Sequence, residues 1–280
     1  MVLTFVLAGV LAGCGGSEAA GDDRREVVAA FYPLAFAAAQ VGGNAVAVEN
    51  VTPAGAEPHD AELSARTVER LRGADVVLYL GDGFQPAVER AVAGARGEAV
   101  DLLDAVAVRR ADGAESDPHV GLDPRRFAAI VERVGEVLGA PARAERLQER
   151  LRGLDRELAL GLGSCRRRHI VTGHAAFGYL ADRYGLEQVA LSGVSPEAEP
   201  APRELARLAA EVRRLRATTV FVETLASPRI AETIARETGA RTATLNPIEG
   251  LTPAEQARGE NYFSLMRANL GALRKALGCR

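Results

Sequence analysis

Eight short runs rich in β-branched and aliphatic residues recur along the 280-residue chain, and stretches of helical periodicity separate them. Residues 26–31, 45–51, 75–80 and 98–102 read as strands of a first half, and 169–172, 186–191, 219–223 and 242–245 as strands of a second. Apolar strands this short, alternating with helices, bury both faces, so the pattern calls for parallel sheets covered by helices. The expected fold class is α/β: two lobes, each with a four-stranded mostly parallel sheet flanked by helices, over residues 25–140 and 164–280.

Between the two groups, 125–162 is helical in pattern, with Pro141 placed as a first-turn proline would be. Leu147, Leu151, Leu154, Leu158 and Leu162 repeat every three or four residues down one stripe, opposite a face dense in Arg and Glu. Two ordinary surface helices satisfy this pattern. So does a stiff connecting helix over 141–163 that crosses from lobe to lobe.

Residues 2–11 are an uncharged apolar run, too short to span a bilayer, that ends in Leu11-Ala12-Gly13-Cys14. This ending resembles the lipobox at which bacterial lipoproteins are cleaved and acylated, which makes 1–14 a signal peptide and Cys14 the lipidated residue. Residues 15–24 then form a flexible polar tether. No Lys or Arg precedes the run, and a buried N-terminal strand is the competing reading.

Hydrophobic residues make up 48% of the chain and charged residues 25%, which permits a full core. A net charge of −3 leaves no basic footprint for nucleic acid, so membrane attachment would rest on lipid at Cys14. Cys165 and Cys279 are the other two cysteines. In an oxidising extracytoplasmic setting they most simply pair, tying the final helix to the start of the second lobe; in a cytosolic chain they would be small core residues.

Three of the four histidines lie in Gly/Pro-flanked loops: His59 in Gly55-Ala56-Glu57-Pro58-His59-Asp60, His119 in Asp117-Pro118-His119, and His174 in Thr172-Gly173-His174. Their separations are too long for a zinc finger or an HExxH helix, so they must converge from separate elements. Each follows a strand, on the carboxyl-end edge where open α/β sheets bind ligands. A single histidine is more often solvated or hydrogen-bonded than a ligand, but three so placed read as a metal site between facing lobes. Nitrogen donors of this kind suit zinc, and manganese less well.

The neighbouring groups have two readings each. Glu57 and Asp60 would orient imidazoles as acceptors or cap the following helix, and Glu223, at a strand end, would sit beside the site or face water. Tyr32 and Phe177 would line the cleft or belong to the core. His169, after Arg166-Arg167-Arg168, sits in a cationic neighbourhood unfavourable to a dication. A zinc-dependent hydrolase with three His ligands and an open fourth position fits the same trio. No Gly-x-Ser-x-Gly elbow, Walker loop or dinucleotide fingerprint accompanies it, so no catalytic residue is assigned.

Several segments together resemble the zinc-type periplasmic solute-binding proteins of bacterial ABC transporters. They are Phe31-Tyr32-Pro33-Leu34, residues 55–60, Asp117-Pro118-His119-Val120 with Leu122-Asp123-Pro124, residues 174–180, residues 195–200 and residues 231–237. The resemblance implies two lobes joined by a long rigid helix, with a transported Zn²⁺ held between them. It also implies partnership with a membrane permease and its ATPase. The chain itself is expected to be a monomer. It places ligands at His59, His119 and His174, and aligns the family's fourth, aspartate ligand with Asn246 in Leu245-Asn246-Pro247. A neutral amide is a poor zinc donor, so Asn246 would ligate weakly, position a water or cap a turn, leaving Glu223 or an anion to complete the shell. Gly121 stands where relatives carry an aromatic, and the metal-gathering loop of many members is reduced to residues 112–116.

Overall fold

The computed structural model describes residues 24–111, 115–196 and 201–280. The expected signal peptide, Cys14 and nearly all of the tether lie outside these residues, as do parts of the 112–116 and 195–200 segments. Among the described residues, no helix is long and apolar enough to cross a membrane.

The first lobe runs β1 (Arg25–Ala29), α1 (Tyr32–Gly42), β2 (Val46–Asn50), α2 (Ala65–Gly73), β3 (Val76–Tyr79), α3 (Pro86–Val92) and β4 (Glu98–Asp101). Its strands pair in the order β2-β1-β3-β4, all parallel. A two-residue antiparallel ladder, β5 (Arg110–Ala111) with β6 (Glu115–Ser116), leads to a 3-10 turn at His119–Leu122 and then to α4 (Pro124–Val137) and α5 (Pro141–Leu162). The second lobe contains β7 (His169–Thr172), α6 (Gly178–Tyr184), β8 (Glu187–Ala190), α7 (Pro202–Arg214), β9 (Thr219–Val222), α8 (Arg229–Thr238) and β10 (Arg241–Thr244), and closes with α9 (Pro253–Ala257) and α10 (Tyr262–Leu277). Its sheet is parallel in the order β10-β9-β7-β8.

Counted from the first strand of each lobe, the two orders are the same. In both, the chain moves to one side of its first strand and then back to the other, so the loops leaving the central strands diverge and open a crevice at the carboxyl ends. The strands expected from sequence are all present, with ends that differ by no more than two residues. Val27, Val76, Val77, Ile170, Val171 and Val220 are all but fully buried, as strands covered on both faces must be.

The helix α5 joins the lobes. Near its start, the Arg143 guanidinium donates to Gly42 O at 2.6 Å in the first lobe; its last residue, Leu162, lies just before Cys165 and β7. Twenty-two residues of helix span about 33 Å, the length of a small domain. Its leucine stripe is buried at every position and packs on α4, α1 and α10. One continuous apolar core therefore runs from the first sheet through α4 and α5 to Phe177, Phe221 and α10. A smaller cluster under α7 and α8 serves only the second lobe.

A polar joint reinforces this spine. The buried Asp155 carboxylate on α5 accepts from Arg183 Nε and Nη2, both at 2.8 Å, and from Arg125 Nε at 3.0 Å, linking α5 to α6 and α4. At the far end a disulfide joins Cys165 to Cys279, just beyond α10.

The buried stripe makes the spine measurable. Leu154→Ala should lower the unfolding free energy in denaturant titration by about 2–5 kcal/mol. Leu160→Ala, on the same helix but with a residue 81% exposed, should change it by no more than about 0.5 kcal/mol.

Candidate metal centre

Four side chains meet where the carboxyl ends of the two sheets face each other. One ligand atom from each of His59, His119, His174 and Glu249 lies within 4.8 Å of the others. His119 is central: its Nε2 is 3.4 Å from His59 Nε2, 3.2 Å from His174 Nε2 and 3.0 Å from Glu249 Oε1. Glu249 Oε1 is also 2.9 Å from His59 Nε2. The first lobe supplies His59 and His119, and the second supplies His174 and Glu249.

Each donor is held by its local backbone. Thr52 Oγ1 donates to Ala30 O at 2.7 Å, and Gly55 N reaches across to Leu251 O at 2.8 Å, fixing the loop that carries His59. The edge of the Phe84 ring backs the His59 ring, with centroids 4.7 Å apart. His119 opens its turn with two bonds to one carboxylate: its backbone N donates to Asp117 Oδ1 at 3.0 Å, and its Nδ1 to the same oxygen at 2.7 Å. Glu223 holds His174 by its backbone, Oε1 accepting from the backbone N at 3.0 Å, while Oε2 lies against Nδ1. Gly173 gives the carboxylate room, because a Cβ there would come within 2.8 Å of Glu223 Oε1 and displace it.

Glu249 is delivered by a turn that Asn246 builds. Asn246 Oδ1 accepts from Ile248 N at 2.7 Å and Nδ2 donates to the buried Glu255 at 3.0 Å, while Asn269 clamps the Asn246 backbone from both sides. Ile248 is thereby held at φ 62°, a left-handed conformation that costs a β-branched residue on the order of 1–3 kcal/mol. The next residue, Glu249, then points into the cluster.

The electrostatics follow from burial. The side chains of His119 and His174 are 1% exposed and that of Glu249 5%. Desolvation pushes the Glu249 carboxyl up, yet the imidazoles of His119 and His59 together hold it well below the usual range. Burial likewise opposes a charge on His119, but the carboxylates of Glu249 and Asp117 outweigh it and raise the imidazole to about 10. Nearby, burial and the Glu249 charge push the Glu57 carboxyl up to about 8.

The three expected histidines are thus brought together, and the expected fourth residue is not. Both ends of the Asn246 amide are engaged in the turn, so the corner assigned to it is taken by Glu249, three residues on. The reason is electrostatic as well as geometric: a carboxylate compensates cationic charge where a neutral amide does not. Glu57 and Asp60 do not serve the imidazoles either, since Glu57 Oε2 accepts from Asp60 N at 3.3 Å and Asp60 is exposed. Asp117 does that work for His119, and Glu223 for His174. His169 stands apart, paired with Glu187 at 2.9 Å. Tyr32 and Phe177 belong to the apolar core.

Two signals for the missed residues were present in sequence. Asp117 is part of the same Asp-Pro-His run as the histidine it orients, and Glu249 lies in Asn246-Pro247-Ile248-Glu249-Gly250, a Gly/Pro-flanked loop after a strand like those bearing the histidines.

Comparison with known proteins agrees with this architecture. Zinc-binding lipoprotein AdcA of Streptococcus pneumoniae is 34% identical over 309 aligned residues, covering 98% of this chain and 60% of the relative. The chain thus spans about three fifths of that protein's length. The high-affinity zinc uptake system protein ZnuA of Bacillus subtilis is 29% identical over 98% of this chain and 96% of its own. The Zn(II)-bound ZnuA-like domain of S. pneumoniae AdcA superposes with a TM-score of 0.77 at 35% identity, covering 91% of this chain and 99% of that one. The family model described as zinc-uptake complex component A, periplasmic, matches residues 27–276, and the chain belongs to that family.

Proposed function

We propose that the chain is the extracytoplasmic capture component of an ABC importer, taking Zn²⁺ as cargo at His59, His119, His174 and Glu249 and handing it to a membrane permease driven by its ATPase. The observation that carries this reading is the spacing of the donors. A tetrahedral zinc with arms of about 2.0–2.1 Å has ligand-to-ligand edges of about 3.3 Å, and the His119 contacts to the other imidazoles measure 3.4 and 3.2 Å. Three neutral imidazoles and one carboxylate leave a single net positive charge on the bound ion. Nitrogen-rich donors of this kind favour zinc over manganese.

Four protein donors leave no corner for a nucleophilic water, which favours capture over hydrolysis. Asp117, by taking Nδ1–H of His119, keeps that ring's Nε2 lone pair aimed at the ion, and Glu223, lying against Nδ1 of His174, favours the same orientation there. His59 is the least buried of the four donors and sits on a loop with exposed residues at 53–55, so it is the side from which an ion enters. The core shared through α5 resists wide opening of the lobes, so ordering of the loop over 52–60 is the expected response. Lipid anchoring through Cys14 would keep the monomeric protein beside its permease.

Calorimetric titration of the metal-stripped protein should show one Zn²⁺ bound without turnover of ester or phosphoester substrates. His119→Ala and His174→Ala should abolish this uptake, and Glu249→Gln should weaken it by roughly a hundredfold, since a charge-bearing ligand is lost. Retention of full affinity by all three variants would remove the reading.

Asn246→Asp should weaken zinc binding as well, because it places a second carboxylate against Glu255 and unsettles the turn that carries Glu249. Tighter binding would show that residue 246 itself ligates the ion.

Zinc must displace the proton on His119 Nε2, whose presence the Glu249 and Asp117 charges favour. Because that imidazole is raised to about 10, protons compete throughout the neutral range, and affinity should fall by up to about tenfold per pH unit lowered from this group alone. Titration in buffers of different ionisation enthalpy should register proton release at neutral pH.

A further inference from the structure

The amino-terminal edge of the second lobe's sheet, opposite the edge that carries the metal-site loops, gathers cations from four chain segments. Arg166-Arg167-Arg168 leads into β7, Arg213, Arg214 and Arg216 precede β9, Arg241 opens β10, and Lys275 and Arg280 close the chain. Hydrogen bonds pin these segments side by side. Arg167 N donates to Leu277 O at 3.1 Å, Arg280 N to Ser164 O at 3.2 Å, Arg241 N to Thr218 O at 2.9 Å, and Thr218 Oγ1 to Ala276 O at 3.3 Å. The Cys165–Cys279 disulfide locks the terminal segment against the triple-arginine run.

The acidic side chains of this edge are already engaged: Glu187 with His169, Glu211 with Arg214 and Glu237 with Arg213. Among the described residues, Arg166, Arg167, Arg216, Arg241, Lys275 and Arg280 form no ion pair, and all but the half-buried Arg167 are exposed. The whole chain carries −3, so this is a local surplus of positive charge. Like charges fixed together raise the energy of the folded state and call for an anionic counterpart. A second observation names the kind. Leu160, 81% exposed, stands on the last turn of α5; two residues on, the Leu162 carbonyl accepts from Arg168 Nη1 at 3.0 Å. An exposed apolar side chain on the helix turn whose terminal carbonyls, at Leu162 and Gly163, accept from the Arg168 guanidinium puts apolar and cationic groups at one end of the fold, the arrangement of a membrane-interface contact rather than of a site for a soluble anion.

We propose that this edge docks on an anionic phospholipid surface, with the guanidinium groups on headgroup phosphates and Leu160 at the acyl boundary. Guanidinium forks match phosphate oxygens two at a time, and each adjoining cation adds to the attraction of an anionic leaflet.

The test is sedimentation of the full chain, carrying Cys14→Ser so that no acyl chain contributes. Vesicles of phosphatidylglycerol and phosphatidylcholine in equal parts are compared with phosphatidylcholine alone, at low and high salt. The apolar run at 2–11 is common to every arm. The parent should bind the anionic vesicles at least about tenfold better, lose that preference in high salt, and lose it again, by about tenfold or more, in the triple variant Arg166→Gln, Arg241→Gln, Lys275→Gln. Leu160→Ser should weaken binding to the same vesicles, and Arg66→Gln, Arg90→Gln, Arg146→Gln, an equal charge change away from this edge, should leave it intact. Equal partition onto both vesicle types overturns the proposal. So does an equal loss in the two triple variants, or capture of soluble polyphosphate without vesicle binding.

Discussion

Two buried carboxylates decide where the imidazole nitrogens of this molecule point. Asp117 accepts from both the backbone N and the Nδ1 of His119, and Glu223 accepts from the backbone N of His174 while lying against its Nδ1, so each ring is positioned together with its loop. Without them, His119 and His174 would be buried polar rings free to turn toward any acceptor, and Glu249 alone would draw them out of register. Their own burial makes the arrangement strong, because an ionised carboxylate removed from water needs its partners as much as they need it. The strained turn at Ile248 and the glycine at 173 are both consequences of fitting these groups into one small volume.

The rest of the fold serves to keep that volume constant. Since α5 runs along both lobes and its leucines enter one core, the two walls of the cleft are parts of a single packed body. Interiors of this density do not deform continuously. Adaptation to an ion is therefore confined to the parts outside the core, chiefly the loop that bears His59.

Much of this was legible in the chain. The alternation of short apolar runs with helical stretches marks every strand of the two main sheets because buried parallel strands have no polar face to blur the signal. The leucine stripe marks α5 for the same reason. The histidines were recognisable by their Gly/Pro-flanked loops and their place after strands. What escaped was the fourth donor, since Asn246 and Glu249 are separated by a turn whose left-handed residue is an isoleucine, and nothing in local composition announces that conformation. The partners of the imidazoles escaped in part as well. Glu57 and Asp60 are near His59 in sequence, but Glu57 bonds to the Asp60 backbone and Asp60 is exposed, whereas Glu223, expected beside the site from its place at a strand end, is brought to His174 by the register of β7 with β9.

The repeated strand order of the two lobes gives the centre a lopsided symmetry. His119 and Glu249 both follow the fourth strand of their sheet, so they are counterparts under the operation that maps one lobe on the other. His59 follows a second strand and His174 a first, so they have no such relation. A molecule that arose by doubling one lobe would have inherited the first pair as matching corners and acquired the other two separately. Divergence of ion preference within such a lineage then has its shortest route through the unmatched positions, which can change without disturbing the inherited scaffold.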